Sequence, residues 1–140
     1  MATACTFCRI FAGEIPAEIV WEDETSVAFL DHRPLFPGHV LLAPRAHIVT
    51  LPELPRESLE PLFAGAQRLC RAVEHVCGAQ GTFVAMNNVV SQSVPHLHVH
   101  IVPRSKGDGL KGFFWPRNGY RDDAHREEVA EAIRAALETP

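Results

Sequence analysis

The chain has no apolar run near the roughly 20 residues that span a bilayer, so no transmembrane helix is expected. Its opening, "MATACTFCRIF", lacks a basic segment followed by a long apolar stretch, so no secretory signal is expected and the cytoplasm is the default compartment. Positive charge is not in surplus: 13 Lys and Arg stand against 17 Asp and Glu, for a net charge of −4. Nucleic-acid binders lean on a basic face, so neither nucleic acid nor a membrane is expected as a partner. A small anionic ligand stays open, because a few local donors suffice. No internal repeat or low-complexity tract is visible. Cysteine is limited to 4 residues. Without secretion, a disulfide framework is not expected.

What is present suits one domain over 1–140, enough chain for a single core and too little for two. "AEIVWEDE" and "SVAFLD" read as strands joined by a tight acidic turn at Asp23 to Thr25. "PLFPGH" reads as a loop and "HVLLAPR" as a buried strand. Leu59, Leu62, Phe63, Ala66, Leu69, Cys70, Val73, Val76 and Cys77 recur at spacings of three and four, one continuous helix face. Cys70 and Cys77 then read as small core residues. Pro61 is expected in the first turn and Gly78 at the stop. "TFVAMNN" and "HLHVHIVP" are further strands. Asp122 or Asp123 can cap a last helix with Val129, Ala130, Ile133 and Leu137 as its apolar positions. Strands, helix, strands, helix make an α+β domain with a mainly antiparallel sheet.

In "HLHVHIVP" the period is two, so His96, His98 and His100 share one face and Leu97, Val99 and Ile101 the other. Along a strand, neighbouring imidazoles start about 6.5–7 Å apart. Three readings compete. The histidines ligate a metal; or one is a nucleophile or acid–base while the others position substrate; or they are solvent-facing polar residues. Strict alternation of three is hard to obtain by chance, which weighs against the last.

"CTFC" adds Cys5 and Cys8 at metal-ligand spacing. The same spacing serves redox chemistry, but a redox pair is expected just after a strand, and none precedes this one. Structural zinc takes four ligands, often two Cys and two His. His47, in "APRAHIV", and His96 are candidates to complete the set.

"HLHVHIV" fits the pattern His-φ-His-φ-His-φ-φ, with φ apolar, of the histidine triad family. The segment from "CTFCRIF" to "APRAHI" is similar to the N-terminal half of zinc-containing bacterial histidine triad nucleotide-binding proteins. The resemblance covers residues 5 to 104 and leaves 105–140 as a divergent tail with a helix. It implies a five-stranded antiparallel sheet with one long helix, and a homodimer. It also implies binding of purine nucleotides and cleavage at their α-phosphorus, in phosphoramidates or dinucleoside polyphosphates, through a nucleotidyl-histidine. Carried over, Cys5, Cys8, His47 and His96 hold a structural Zn2+, and His98 is the nucleophile. His100 binds the α-phosphate oxygens, and His39 hydrogen-bonds beside the triad. Asp31 takes the ribose hydroxyls. Phe7, Ile10, Phe29 and His32 line the base pocket, while Asn87, Gln92 and Ser93 meet phosphate or leaving group. Transfer of the nucleotidyl group to phosphate, binding with little turnover, and a hydrolase with all three triad histidines on the metal are the alternatives.

The chain departs from its resemblance in "NNVVSQSV", two residues shorter than the family's glycine-bearing loop and without glycine. Glycine lets a backbone approach phosphate closely. The tail's "GFFWPR" offers three aromatics, Phe113, Phe114 and Trp115, for a dimer interface or a cover over the site. Arg104, Lys106, Lys111 and Arg117 add positive charge nearby.

Overall fold

Asp23 closes the first hairpin. Its Oδ1 accepts the backbone N–H groups of Thr25 and Ser26, both at 2.8 Å, turning the chain from β1 (Ile19–Glu22) into β2 (Ser26–Leu30). The computed structural model describes residues 5–110 and 117–138. After β2 come β3 (Val40–Pro44), the long helix α2 (Arg56–Cys77), β4 (Gly81–Ala85) and β5 (Val99–Arg104). A short helix α1 (Thr6–Phe11) precedes the sheet. All five strands pair antiparallel in the order β1-β2-β3-β5-β4.

Strand alternation sorts the core into two layers. Ala28, Val40, Leu42, Leu97, Val99 and Ile101 point to one face, where Leu62, Ala66, Leu69 and Val73 of α2 cover them. Burial of Leu62, Leu69 and Val73 contributes about 1.5–3 kcal/mol each. Val27, Phe29, Leu41 and Ala43 point to the other face, against Phe7 and Ile10 of α1. Phe7 also meets the rings of His96 and His98 edge-on, at centroid distances of 5.8 and 5.0 Å. The triad histidines therefore lie on the α1 side and the interleaved apolar residues on the α2 side, as their period requires.

Three details differ from the sequence reading. The helix begins at Arg56, so Pro61 is its sixth residue, past the first turn. The bond its missing N–H would have made is to the carbonyl of Glu57, an exposed residue that water can reach. The predicted helix face is wider than the sheet beneath it: Leu59, Phe63, Val76 and Cys77 are exposed and Cys70 is half-buried. Gly78 does end the helix, in the left-handed region at φ 61°. Finally, β5 starts at Val99 rather than His96. The N–H of Leu97 goes to Ile48 O at 2.7 Å and that of His96 to Val94 O at 2.8 Å, which takes this stretch out of the ladder.

The chain divides by contact into one unit up to Asp108 and another from Gly109. In the second, α3 (Asp123–Leu137) is capped by Asp122, whose carboxylate accepts the His125 N–H at 2.7 Å. Its apolar positions Ile133 and Leu137 are exposed. Lys111 and the aromatic run Phe113 to Trp115 lie outside the described residues. Arg104 is tied to Asp108 at 2.7 Å, which offsets its charge. Among the described residues no helix is long and apolar enough to cross a membrane.

Candidate active site and metal centre

The α1 face of the sheet carries a cavity of about 780 Å³. Phe7 and Ile10 reach it from α1, Phe29 from β2, and Asp31 and His32 from the end of β2. Ser93, His98 and His100 close it from the triad side. Phe7 and Phe29 stack edge to face at 5.1 Å and make an apolar wall for a flat ring. Asp31 Oδ1 accepts the Arg33 N–H at 2.9 Å. His32 stands at the rim with its side chain 90% exposed. The segment Ile15 to Glu18 also lines the cavity. Nothing in its composition announced it; only its place after α1 could have.

Asn87 and Gln92 do not line this cavity. Their side chains are turned into the preceding loop. Asn87 Nδ2 donates to Ser91 O at 3.2 Å. Gln92 accepts the Val89 N–H at 3.2 Å and donates to Val49 O at 2.6 Å. These bonds hold Val89 and Ser91 in the left-handed region, at φ 69° and 62°, where glycine is the easy residue.

The three triad histidines do not converge on one point. His98 is buried, and its Nδ1 lies 2.7 Å from the carbonyl oxygen of His96. A carbonyl only accepts, so Nδ1 carries the proton and Nε2 keeps a lone pair. Burial holds the ring's pKa below its usual 6.5, which leaves it neutral at pH 7. The His98 and His100 rings are 4.9 Å apart, closer than strand spacing alone suggested. His100 is pulled down to about 4, first by burial and then by His98 and His39. His39 is buried, with Nε2 3.0 Å from His100 Nδ1.

His96 belongs to a different cluster. Donor atoms of Cys5, Cys8, His47 and His96 all lie within 4.8 Å of one another. His96 Nδ1 is 3.4 Å from Cys5 Sγ and 3.6 Å from Cys8 Sγ. His47 Nδ1 is 3.6 Å from Cys8 Sγ. A tetrahedral zinc with bonds of about 2.3 Å to sulfur and 2.0–2.1 Å to nitrogen has sulfur–nitrogen edges of about 3.6 Å. The two thiols and two imidazoles therefore fit zinc in type, number and spacing. His96 Nε2 lies 2.7 Å from Pro44 O and donates to it, which leaves Nδ1 free to ligate. Burial and the adjacent Cys5 push the Cys8 thiol up to about 11, so its thiolate needs a nearby cation. The reading with all three triad histidines on one metal is not supported: of the three, His96 alone joins Cys5, Cys8 and His47, while His100 groups with Asp31 and His39.

The HIT domain model matches residues 12–107. The chain belongs to the HIT family. The match begins after Cys5 and Cys8, so half of the metal cluster stands outside it. An uncharacterized HIT-like protein of Mycobacterium tuberculosis is 38% identical over 138 residues, 95% of this chain and 92% of that one. An adenosine 5′-monophosphoramidase of Schizosaccharomyces pombe is 33% identical over 115 residues, 81% of this chain and 84% of that one. The crystal structure of a zinc-bound histidine triad family protein from Mycobacterium smegmatis aligns with TM-score 0.74 at 34% identity, covering 96% of this chain and 99% of that one. This HIT-domain chain thus has both hydrolase relatives and uncharacterized ones, on one shared fold.

Proposed function

We propose that this protein hydrolyses purine nucleoside conjugates at the α-phosphorus, through a nucleotidyl intermediate on His98. The observation that carries the reading is the bond from His98 Nδ1 to the His96 carbonyl, which leaves Nε2 unprotonated beside a cavity of nucleotide size. The phosphoramidase relative supports this substrate class. The Nε2 lone pair attacks the α-phosphorus, and the bond to the leaving group breaks with its electron pair going to that group. Water then attacks the same phosphorus and gives up a proton, which balances the one the leaving group takes up. The P–N bond breaks with its pair returning to Nε2, and neutral His98 is left with a nucleoside monophosphate released. Splitting one displacement into two lowers each barrier. His100 hydrogen-bonds the α-phosphate oxygens where charge develops. Asp31 takes the ribose hydroxyls, and Phe7, Ile10 and Phe29 enclose the base, with His32 at the mouth. Ser93 meets the leaving group, while Asn87 and Gln92 serve by shaping the loop before it.

Cys5, Cys8, His47 and His96 would hold a structural Zn2+ that ties the N-terminal arm to the chain entering β5. Zinc there supplies folding free energy and no chemistry. A homodimer is supported by the place of β4 at the end of the strand order among the described residues, with Val84 exposed, and by exposed Leu59 and Phe63 on α2. A reducing, cytoplasmic setting suits four free thiols. The test is to mix the protein with an adenosine phosphoramidate or a diadenosine polyphosphate and follow product. Release of the monophosphate by wild type and not by His98→Asn supports the reading; equal release by both overturns it.

A further inference from the structure

His98 and His100 stand side by side, and two backbone groups of opposite sense act on them. The His96 carbonyl fixes the first, as described. The second is reached through His39. The backbone N–H of Leu35 donates to His39 Nδ1 at 3.1 Å. A backbone amide nitrogen can only donate, so His39 Nδ1 must be the bare nitrogen and its ring proton sits on Nε2. That nitrogen faces two acceptors, His100 Nδ1 at 3.0 Å and Asp31 Oδ2 at 3.7 Å. Burial keeps His39 neutral, in agreement with one proton on the ring. His100 Nδ1 then accepts, and its own proton is left on Nε2.

We propose that the loop at residues 34–38, through the Leu35 N–H and His39, sets the tautomer of His100, so that it presents an N–H donor to the substrate while His98 presents a lone pair. Leu35 and His39 are positioning residues. The site would otherwise hold two neutral imidazoles of unspecified polarity, and a lone pair on His100 facing a phosphate oxygen would repel it. The same chain argues against a metal on Asp31, His39 and His100, though their donor atoms lie within 4.8 Å. A metal at His39 Nε2 needs the proton moved to Nδ1, where it would collide with the Leu35 N–H.

The loop is built to hold this geometry. The His39 N–H donates to Phe36 O at 3.0 Å, and its carbonyl accepts the Asp31 N–H at 2.9 Å. Gly38 has φ 99°, and a Cβ there would clash with Cys77 Sγ. The loop therefore needs glycine both for its backbone and for its neighbour.

The catalytic consequence rests on the hydrolase reading, whereas the tautomers do not, which separates the two in experiment. Label histidine with 15N in the full-length protein and correlate ring nitrogens with carbon-bound protons at pH 7. The expected result is a proton on Nδ1 of His98 and on Nε2 of both His39 and His100. A proton on Nδ1 of His100, or a doubly protonated His39, overturns the proposal whatever the turnover. Two variants extend the test. His39→Gln keeps an acceptor and a donor, so His100 retains its Nε2 proton and kcat stays within about tenfold of wild type. His39→Glu, read at a pH where the 13C shift of the introduced carboxyl shows it ionised, offers only acceptors, moves the His100 proton to Nδ1 and lowers kcat about 100-fold, the usual cost of losing one transition-state donor. An unchanged His100 tautomer beside that ionised carboxylate contradicts the role. Correct tautomers with no turnover of any nucleotide conjugate would sink the hydrolase reading and leave this one standing.

Discussion

His47 Nδ1 and His96 Nδ1 lie 3.3 Å apart, from segments 49 residues distant in sequence. In a zinc tetrahedron two imidazole nitrogens are about 3.3 Å apart. Since His96 Nε2 donates to Pro44 O, the nitrogen nearest His47 carries a lone pair that can ligate a cation. The purified protein should therefore carry about one zinc per chain. Cys5→Ser and His47→Ala should each lower zinc content, and chelation should lower Tm by roughly 5–10 °C. Metal analysis with calorimetry checks this. Full zinc in both variants would rule out the ligand set.

Asp31 lines the cavity with one carboxylate oxygen near His39 and the other on the Arg33 N–H. If it also takes the ribose hydroxyls, Asp31→Asn should weaken nucleoside monophosphate binding by about tenfold, since hydrogen bonds to a charged group are worth about 1.5–3 kcal/mol. A deoxyribonucleotide should discriminate less between variant and wild type. Titration calorimetry reads both, and equal losses on the two ligands would speak against ribose contact.

The loop before the triad should be strained. Val89 is β-branched with φ 69°. Val89→Gly removes a cost of about 1–3 kcal/mol and adds some unfolded-state entropy, for a net gain near 1 kcal/mol. Gln92→Ala strips partners from the Val89 N–H and the Val49 carbonyl and should cost about 1–2 kcal/mol. Urea denaturation measures the pair; destabilisation by Val89→Gly would show that the loop is relaxed as built.

Stability should depend on the protonation of His100. Its folded pKa is about 4 against 6.5 unfolded. Above pH 6.5 the ring is neutral in both states, so its contribution is complete. As pH falls from 6.5 toward about 4 the unfolded chain takes up the proton first, and about 2–3 kcal/mol is lost across that window. His100→Gln should lose less stability over the same range, with any metal contribution common to both proteins. Parallel curves for the two would remove His100 from this role.

Much of the fold was legible because it is written in periods. The alternation in "HLHVHIV" gave the two faces of that segment, and the spacing from Leu62 to Val73 gave the buried stripe of α2. Local periods do not reveal how wide a partner surface is, so the apolar helix face they mark takes in Phe63 and Val76, which are exposed. Nor do they reveal where a backbone leaves its ladder: the start of β5 is set by Leu97 bonding to Ile48, 49 residues earlier. The side-chain types of the site were visible, including both cysteines. Its polarity was not, because it depends on three backbone groups (the carbonyls of Pro44 and His96 and the amide of Leu35) that any residue would carry.

The most direct measurement is the mass of the intact protein within the first turnovers. On mixing with an adenosine phosphoramidate, wild type should gain one adenylyl group, and the adduct should map to His98 and be absent from His98→Asn. Product formed with no adduct on any rapid time scale, or an adduct that persists in His98→Asn, would contradict covalent catalysis through this residue.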